Sequence, residues 1–317
     1  MSSLQHLVAM SFGVSGIVRE RGSYKTTDGT REIFKTKDVQ GQILARHQII
    51  EHCKKAGFPW MDHYYLTRQG YPCVFADGDN YVMTNRLQCR DTDFSDAAEF
   101  LQVIQTIAHW HRSARDVAFK DGAELSLSKN ATPLTEIFRA KCEALDVIHK
   151  RIRRQSRWSD FDVLFLKNFS GYRERIRKAL LMLEGTGYLK RWQNARQMGH
   201  ICHGRPKEDC LRICEKSGEV YITKLDDAAV DYQLTDLWAI IRRKEKADGP
   251  TDRSLIARAY SEIIPLEPEE EIILEAMLTY PLAFVKIVTE YYRKKRTWTP
   301  VSLSNKISEI LSSESPS

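Results

Sequence analysis

The chain has 317 residues, 42% of them hydrophobic and 28% charged, with a net charge of +6. That balance belongs to an ordinary soluble globular protein with enough material for a real core. No apolar run approaches the roughly 18 to 20 residues a membrane span needs, which excludes a membrane-spanning chain. The opening stretch "MSSLQHLVAMSFGVSG" has no basic leader region, so the expectation is synthesis and folding in the cytoplasm.

Residues 1–90 read as short strands around one helix. Turn signals at Arg21-Gly22 and Asp28-Gly29 separate alternating segments, and "FKTKD" reads as an edge strand with solvated lysines. The stretch "QILARHQIIEHCKKAGF" then predicts a helix with Ile43, His47 and Ile50 on one stripe and Gly57 as its stop. The stretch "YYLTRQGYPCVFADGDNYVMTNRL" predicts strands broken at Gln69-Gly70 and Gly78-Asp79.

From Ser95 the pattern turns helical, with Phe100, Val103, Ile107, Trp110 and Ala114 at three- and four-residue spacing. Two basic helices over about 133–156 and 159–184 follow. A β-rich island over 200–227 comes next, then helices near 233–246, 251–263, 268–279 and 281–295. The tail at 301–317 is Ser-rich, with "SLSNKISEIL" able to form one or two helical turns. A small β-rich lobe at 1–90 and a larger helical lobe at 91–300 carrying the island make an α+β, two-lobe, protein-kinase-like layout.

Between Arg139 and Arg196 there are fifteen Lys/Arg against six Asp/Glu. This reads as a solvated helix face, or as a patch for an anionic surface. Without interleaved aromatic residues, nucleic acid is not favoured as the partner. The seven cysteines form no regular framework and read as reduced thiols. The run His200, Cys202, His203, Cys210 and Cys214 lacks the tightly spaced ligand pairs of a zinc site.

The stretch "ICHGRPKEDCLRI…GEVYITKLDDAAVDYQLTDLWAIIRR" resembles the catalytic segment of the aminoglycoside and choline phosphotransferase branch of the kinase-like superfamily. That branch reads H-G-D-x4-N, a strand ending in D-F-D, and a D-x-x-x-x-D-L helix start. Within it the chain is most similar to the bacterial spore coat CotS family, over nearly its whole length. The C-terminal "LTYPLAFVKIVTEYYRKKRTW", with Pro281, Phe284, Tyr291, Tyr292 and Trp298, carries the more specific part of the likeness.

The resemblance implies a set of site residues. His203 and Gly204 match the family's His-Gly, and Asp236 matches the Asp whose carboxylate accepts hydrogen bonds from the loop amides. Asp236 and Asp231 also read as helix-capping residues, and His203 as a core histidine tying down the loop. Lys35 matches the nucleotide-contacting lysine, with Glu51 as its partner. The catalytic positions are degenerate, because the base is Arg205, the Asn ligand is Cys210 and the first Asp of D-F-D is Lys224.

Arginine accepts no proton near neutral pH, and magnesium takes oxygen ligands. Three changes at the three chemical positions therefore predict lost catalysis and a pseudokinase that needs no cofactor. Asp226 and Asp209 stay open as metal ligands if magnesium is retained. Arg205 and Lys224 stay open as cations that take the metal's place on ATP, or as partners of Asp209, Asp226 and Asp227.

The resemblance implies a structural or scaffold component of the spore coat, with other coat proteins or an anionic surface as partner and no membrane. The alternative is an active ATP-dependent kinase acting on a sugar or amino-alcohol hydroxyl.

Overall fold

The computed structural model describes residues 3–20, 22–127 and 132–293. Arg21, Trp298 and the 301–317 tail lie outside these. In chain order the elements begin with α1 (Ser3–Phe12), β1 (Ile17–Glu20), β2 (Ser23–Thr26), β3 (Arg31–Thr36) and α2 (Gln40–Lys55). They continue with β4 (Val74–Ala76), β5 (Asp79–Asn85), β6 (Cys89–Asp91), α3 (Ala97–Ser113), α4 (Leu134–Arg153), α5 (Asp160–Gly185) and α6 (Tyr188–Gln197). The island supplies β7 (Ile201–Cys202), β8 (Leu211–Cys214), β9 (Val220–Ile222) and β10 (Ala229–Val230). The helices α7 (Leu234–Asp248), α8 (Arg253–Ser261), α9 (Pro268–Thr279) and α10 (Leu282–Arg293) follow.

The chain divides into two compact units. The first comprises Met1–Ala131, Ala195–Arg243 and Asp252–Pro265. Its N-terminal part is an antiparallel five-stranded sheet of order β1-β2-β3-β5-β4. Ile33 and Met83 face each other across β3 and β5 and are buried with Val8 and Phe12 of α1. The sequence reading places no helix before β1. The structure has one because Val8, Ala9 and Phe12 recur on one helical stripe and find an apolar sheet face to cover.

Two further expectations differ from what forms. Residues 64–67 make no strand: the Tyr65 amide donates to the Met83 carbonyl, but the Thr67 amide turns to the Tyr71 carbonyl within its own loop. Lys35 is on an inner strand and not an edge, because β3 is flanked by β2 and β5.

In the same unit, α2 buries Ile43, Ile49, Ile50 and, less expectedly, Arg46. Gly57 ends it with φ +92°, a conformation that favours glycine. Helix α3 opens on Asp96, whose carboxylate accepts from the Ala98 and Glu99 amides. Its stripe Phe100, Val103, Ile107 and Trp110 is fully buried. The strands β6, β8 and β9 form a three-stranded antiparallel sheet, and β7 pairs β10.

The second unit comprises Thr132–Asn194, Lys244–Thr251 and Leu266–Ser317. Ser159 and Asp162 close a capping box at the start of α5. Asp162 is fully buried and also accepts a hydrogen bond from the Tyr292 hydroxyl. Tyr291 stacks on Phe161 with ring centroids 3.9 Å apart, and Phe284 stacks on Tyr172 at 3.7 Å. The aromatic residues of the C-terminal signature that are described are therefore core-building side chains of this unit. Three of its cations are paired, Arg139 with Glu184, Arg173 with Asp146, and Arg191 with Glu267. Among the described residues, no single helix is long and apolar enough to cross a membrane.

Candidate functional site

The frame of the site hangs on one buried carboxylate. Asp236, in the first turn of α7 and 1% exposed, accepts hydrogen bonds from the His203 amide at 2.6 Å and the Gly204 amide at 2.9 Å. Its Oδ2 also lies 3.1 Å from His111 Nε2, and His111 Nδ1 lies 2.9 Å from the Tyr260 hydroxyl. Burial holds the His111 imidazole below the usual range although Asp236 opposes this, so the ring is neutral. A neutral ring that donates from Nε2 to the carboxylate accepts the Tyr260 hydroxyl at Nδ1.

His203 Nε2 lies 3.0 Å from the Thr223 carbonyl, and the Thr223 amide donates to the Cys210 carbonyl at 2.8 Å. Gly204 has φ +81°, and a Cβ there would lie 2.1 Å from the Asp227 carbonyl oxygen. The loop and the 225–227 turn are in backbone contact, and only glycine allows it.

Around that frame the charged side chains pair with one another. Lys224 Nζ lies 2.7 Å from Asp209 Oδ2, and Lys207 Nζ lies 2.9 Å from Asp209 Oδ1. Lys224, then Lys207, holds the Asp209 carboxyl well below the usual carboxylate range. Arg205 Nε is 2.8 Å from Asp227 Oδ2. Arg46, whose side chain is 5% exposed, contacts Asp38 at 2.8 Å and Asp226 Oδ1 at 3.1 Å. Asp209, Asp227 and Asp226 are thus each held by a cation of the same chain. Lys224 has φ +56° and ψ +58°, a region where Asp and Asn are enriched and long side chains are uncommon.

Other residues singled out in the sequence are engaged elsewhere. Lys35 is 2.5 Å from Asp79, and Glu51 is 3.2 Å from His63, so the pair expected between Lys35 and Glu51 does not form. The reason lies in the β3–β5 pairing, which sets Asp79 within reach of the Lys35 ammonium. The Cys210 thiol, pushed up to about 11 by burial, donates toward Asp209 at 3.5 Å. Asp231 donates its amide to the His200 carbonyl, and its carboxylate accepts from the Tyr232 amide. Among the described residues, no three His, Cys, Asp or Glu side chains are placed to share a metal ion.

Sequence reasoning missed four participants: Arg46, His111, Tyr260 and Asp62. A signal existed for Arg46, which shares the apolar stripe of α2 with Ile43 and Ile50 at i+3 and i+7 spacing. Asp62 had none, since it comes from the irregular segment beside β9, where Met61 bridges Ile222 and the Ile222 amide donates to the Trp60 carbonyl.

Burial pushes the Asp62 carboxyl up to about 7, with Glu32 and Asp226 adding to the rise and Arg212 and Lys224 opposing it. Below about pH 4 both folded and unfolded chains hold this proton. From there to about pH 7 only the unfolded chain has released it, so folding is progressively penalised, and the penalty is constant above. The Asp62→Asn variant is therefore expected to melt higher than the wild-type chain at pH 8 and alike below pH 4. An equal gain at both pH values in thermal melts would refute this assignment.

The architecture is similar to that of solved phosphotransferases. An aminoglycoside phosphotransferase from Alicyclobacillus acidocaldarius subsp. acidocaldarius DSM 446 aligns over 98% of this chain and 92% of its own, with a TM-score of 0.79 and 16% identity. The AMP-bound spectinomycin phosphotransferase APH(9)-Ia aligns over 99% and 94%, at 0.61 and 12%. The amicoumacin kinase hAmiN, in complex with AMP-PNP, calcium and amicoumacin, aligns over 94% and 88%, at 0.52 and 10%. At these identities the likeness shows the fold: the chain is an α+β protein with the aminoglycoside phosphotransferase form of the kinase-like fold. No curated protein sequence matches the chain. The family described as spore coat putative kinase YutH matches residues 17–317, and the chain belongs to that family.

Proposed function

We propose that this chain is a pseudokinase of the spore coat, a kinase-fold component that works through its surfaces and not by turnover. The observation that carries the reading is the closed set of ion pairs. Asp209 is held by Lys224 and Lys207, Asp227 by Arg205, and Asp226 by Arg46. A magnesium ion bridging nucleotide phosphates needs free carboxylate oxygens. Freeing Asp226 would remove one of the two carboxylates paired with the buried Arg46 guanidinium, leaving Asp38 as its ion-pair partner. The Lys224 ammonium stands where the family's magnesium-binding carboxylate belongs and repels a divalent cation. The residues present do not fit magnesium.

ATP itself enters the reading only as a ligand of the fold, because its relatives with AMP or AMP-PNP bound show what those proteins hold. Association with the spore coat rests on the family to which the chain belongs. The cations at the C-terminal end of α4, Lys150, Arg151 and Arg153, are the surface proposed to meet an acidic coat partner.

A thermal-shift titration with ATP, run with and without magnesium, tests the proposal. Melting is expected to be unchanged by magnesium at every ATP concentration. A rise that requires magnesium would overturn the pseudokinase reading in favour of an active small-molecule kinase.

A further inference from the structure

Two of the seven cysteines face each other across a strand pair. Cys89 opens β6 and Cys214 closes β8, and they are direct partners in the antiparallel register. The Glu215 amide donates to the Gln88 carbonyl at 3.1 Å, which makes Cys89 and Cys214 a non-hydrogen-bonded pair. Facing residues at such positions have Cα atoms about 4.5 Å apart and their side chains at closest approach. A disulfide spans Cα separations of roughly 4.4 to 6.8 Å, so this register places both sulfurs within bonding range after rotation about χ1. The two thiols also act on each other's protonation by their proximity.

We propose that Cys89 and Cys214 are a reactive dithiol that a low-molecular-weight disulfide converts to an intrachain disulfide. The two cysteines differ in ways that assign their roles. Cys214 is partly exposed, and the Ser217 hydroxyl, then the Ser217 and Lys216 amides, hold its thiol below the usual range. Cys89 is buried, and that burial pushes its thiol up to about 11. The other five cysteines are buried.

Cys214, as the thiolate, is therefore the attacking sulfur. It displaces one thiolate from the small disulfide and forms a mixed disulfide. Cys89 then gives its proton to solvent, attacks Cys214 Sγ and displaces the second thiolate. The two cysteines lose two electrons, and the oxidant is reduced to two thiols. The product joins the linker that leaves the N-terminal sheet at Asn85 to the β8–β9 hairpin, whose far end leads into Lys224.

The test is oxidation of the folded full-length chain with oxidised glutathione, followed by alkylation and peptide mapping by mass spectrometry without reduction. A cross-linked peptide pair holding Cys89 and Cys214, lighter by two hydrogens, is expected. Cys89→Ala should stop the reaction at a stable glutathione adduct on Cys214. Cys214→Ser should slow glutathione uptake at least ~10-fold. A wild-type chain that keeps glutathione on Cys214, or that leaves both cysteines open to alkylation, would overturn the proposal. Unchanged melting of the two reduced variants shows that each still folds, so that a missing cross-link reports chemistry.

Discussion

Replacing Asp236 by alanine is expected to destabilise the chain by about 3 to 5 kcal/mol, the largest loss of any single side chain near the site. Three donors converge on this carboxylate, the amides of His203 and Gly204 and the His111 ring. His111, His203 and Asp236 are buried, while Gly204 is exposed, so for the two buried donors water cannot replace the lost oxygen without a cavity forming. The second row suffers too, because His111 holds Tyr260 of α8 through its other nitrogen.

A simple capping role for Asp236 would predict a loss of only about 1 kcal/mol. Urea denaturation followed by far-ultraviolet circular dichroism separates the two. A loss near 1 kcal/mol would reduce Asp236 to a cap and remove the loop's anchor from the account. Asn at this position should fall between, since it keeps one oxygen and presents a donor to donors.

The second large effect is expected at Gly204. An alanine there meets two penalties, a left-handed backbone at φ +81° and a Cβ 2.1 Å from the Asp227 carbonyl oxygen. Gly22 provides the control, because its φ is +96° with nothing within 4 Å of a Cβ. Gly22→Ala is expected to cost about 1 kcal/mol from the backbone alone. Gly204→Ala is expected to cost about 3 kcal/mol or more, since the contact is with backbone and cannot be relieved by a rotamer change. Equal urea midpoints for the two variants would show that the 225–227 turn gives way freely, contrary to this picture.

Much of the architecture could be read from residue patterns. The stripe Phe100, Val103, Ile107 and Trp110 specified α3, because that signal is local in the chain. Helix α1 escaped because its short apolar patch acquires meaning only against a sheet formed by later residues.

Of the site, the anchor was legible, because Asp236 at the start of α7 was expected to accept from the loop amides and does so from His203 and Gly204. Pairing was not legible, because it depends on reach across segments far apart in sequence. Arg46 reaches Asp226 across 180 residues, and Lys35 turns to Asp79 because β3 and β5 are neighbours. Asp62 was invisible for a third reason, since a lone acid in an irregular segment has no periodicity to betray its burial.

The left-handed backbone at Lys224 is imposed on the residue from outside. A lysine gains nothing from φ +56°, and the conformation costs it on the order of 1 kcal/mol. The path of the chain there is set by its neighbours, with Thr223 tied to Cys210 on one side and the Gly204–Asp227 approach on the other. The backbone thus holds a lysine in a region that suits glycine or a small polar residue. A change of side chain at this position leaves the path of the loop to its neighbours.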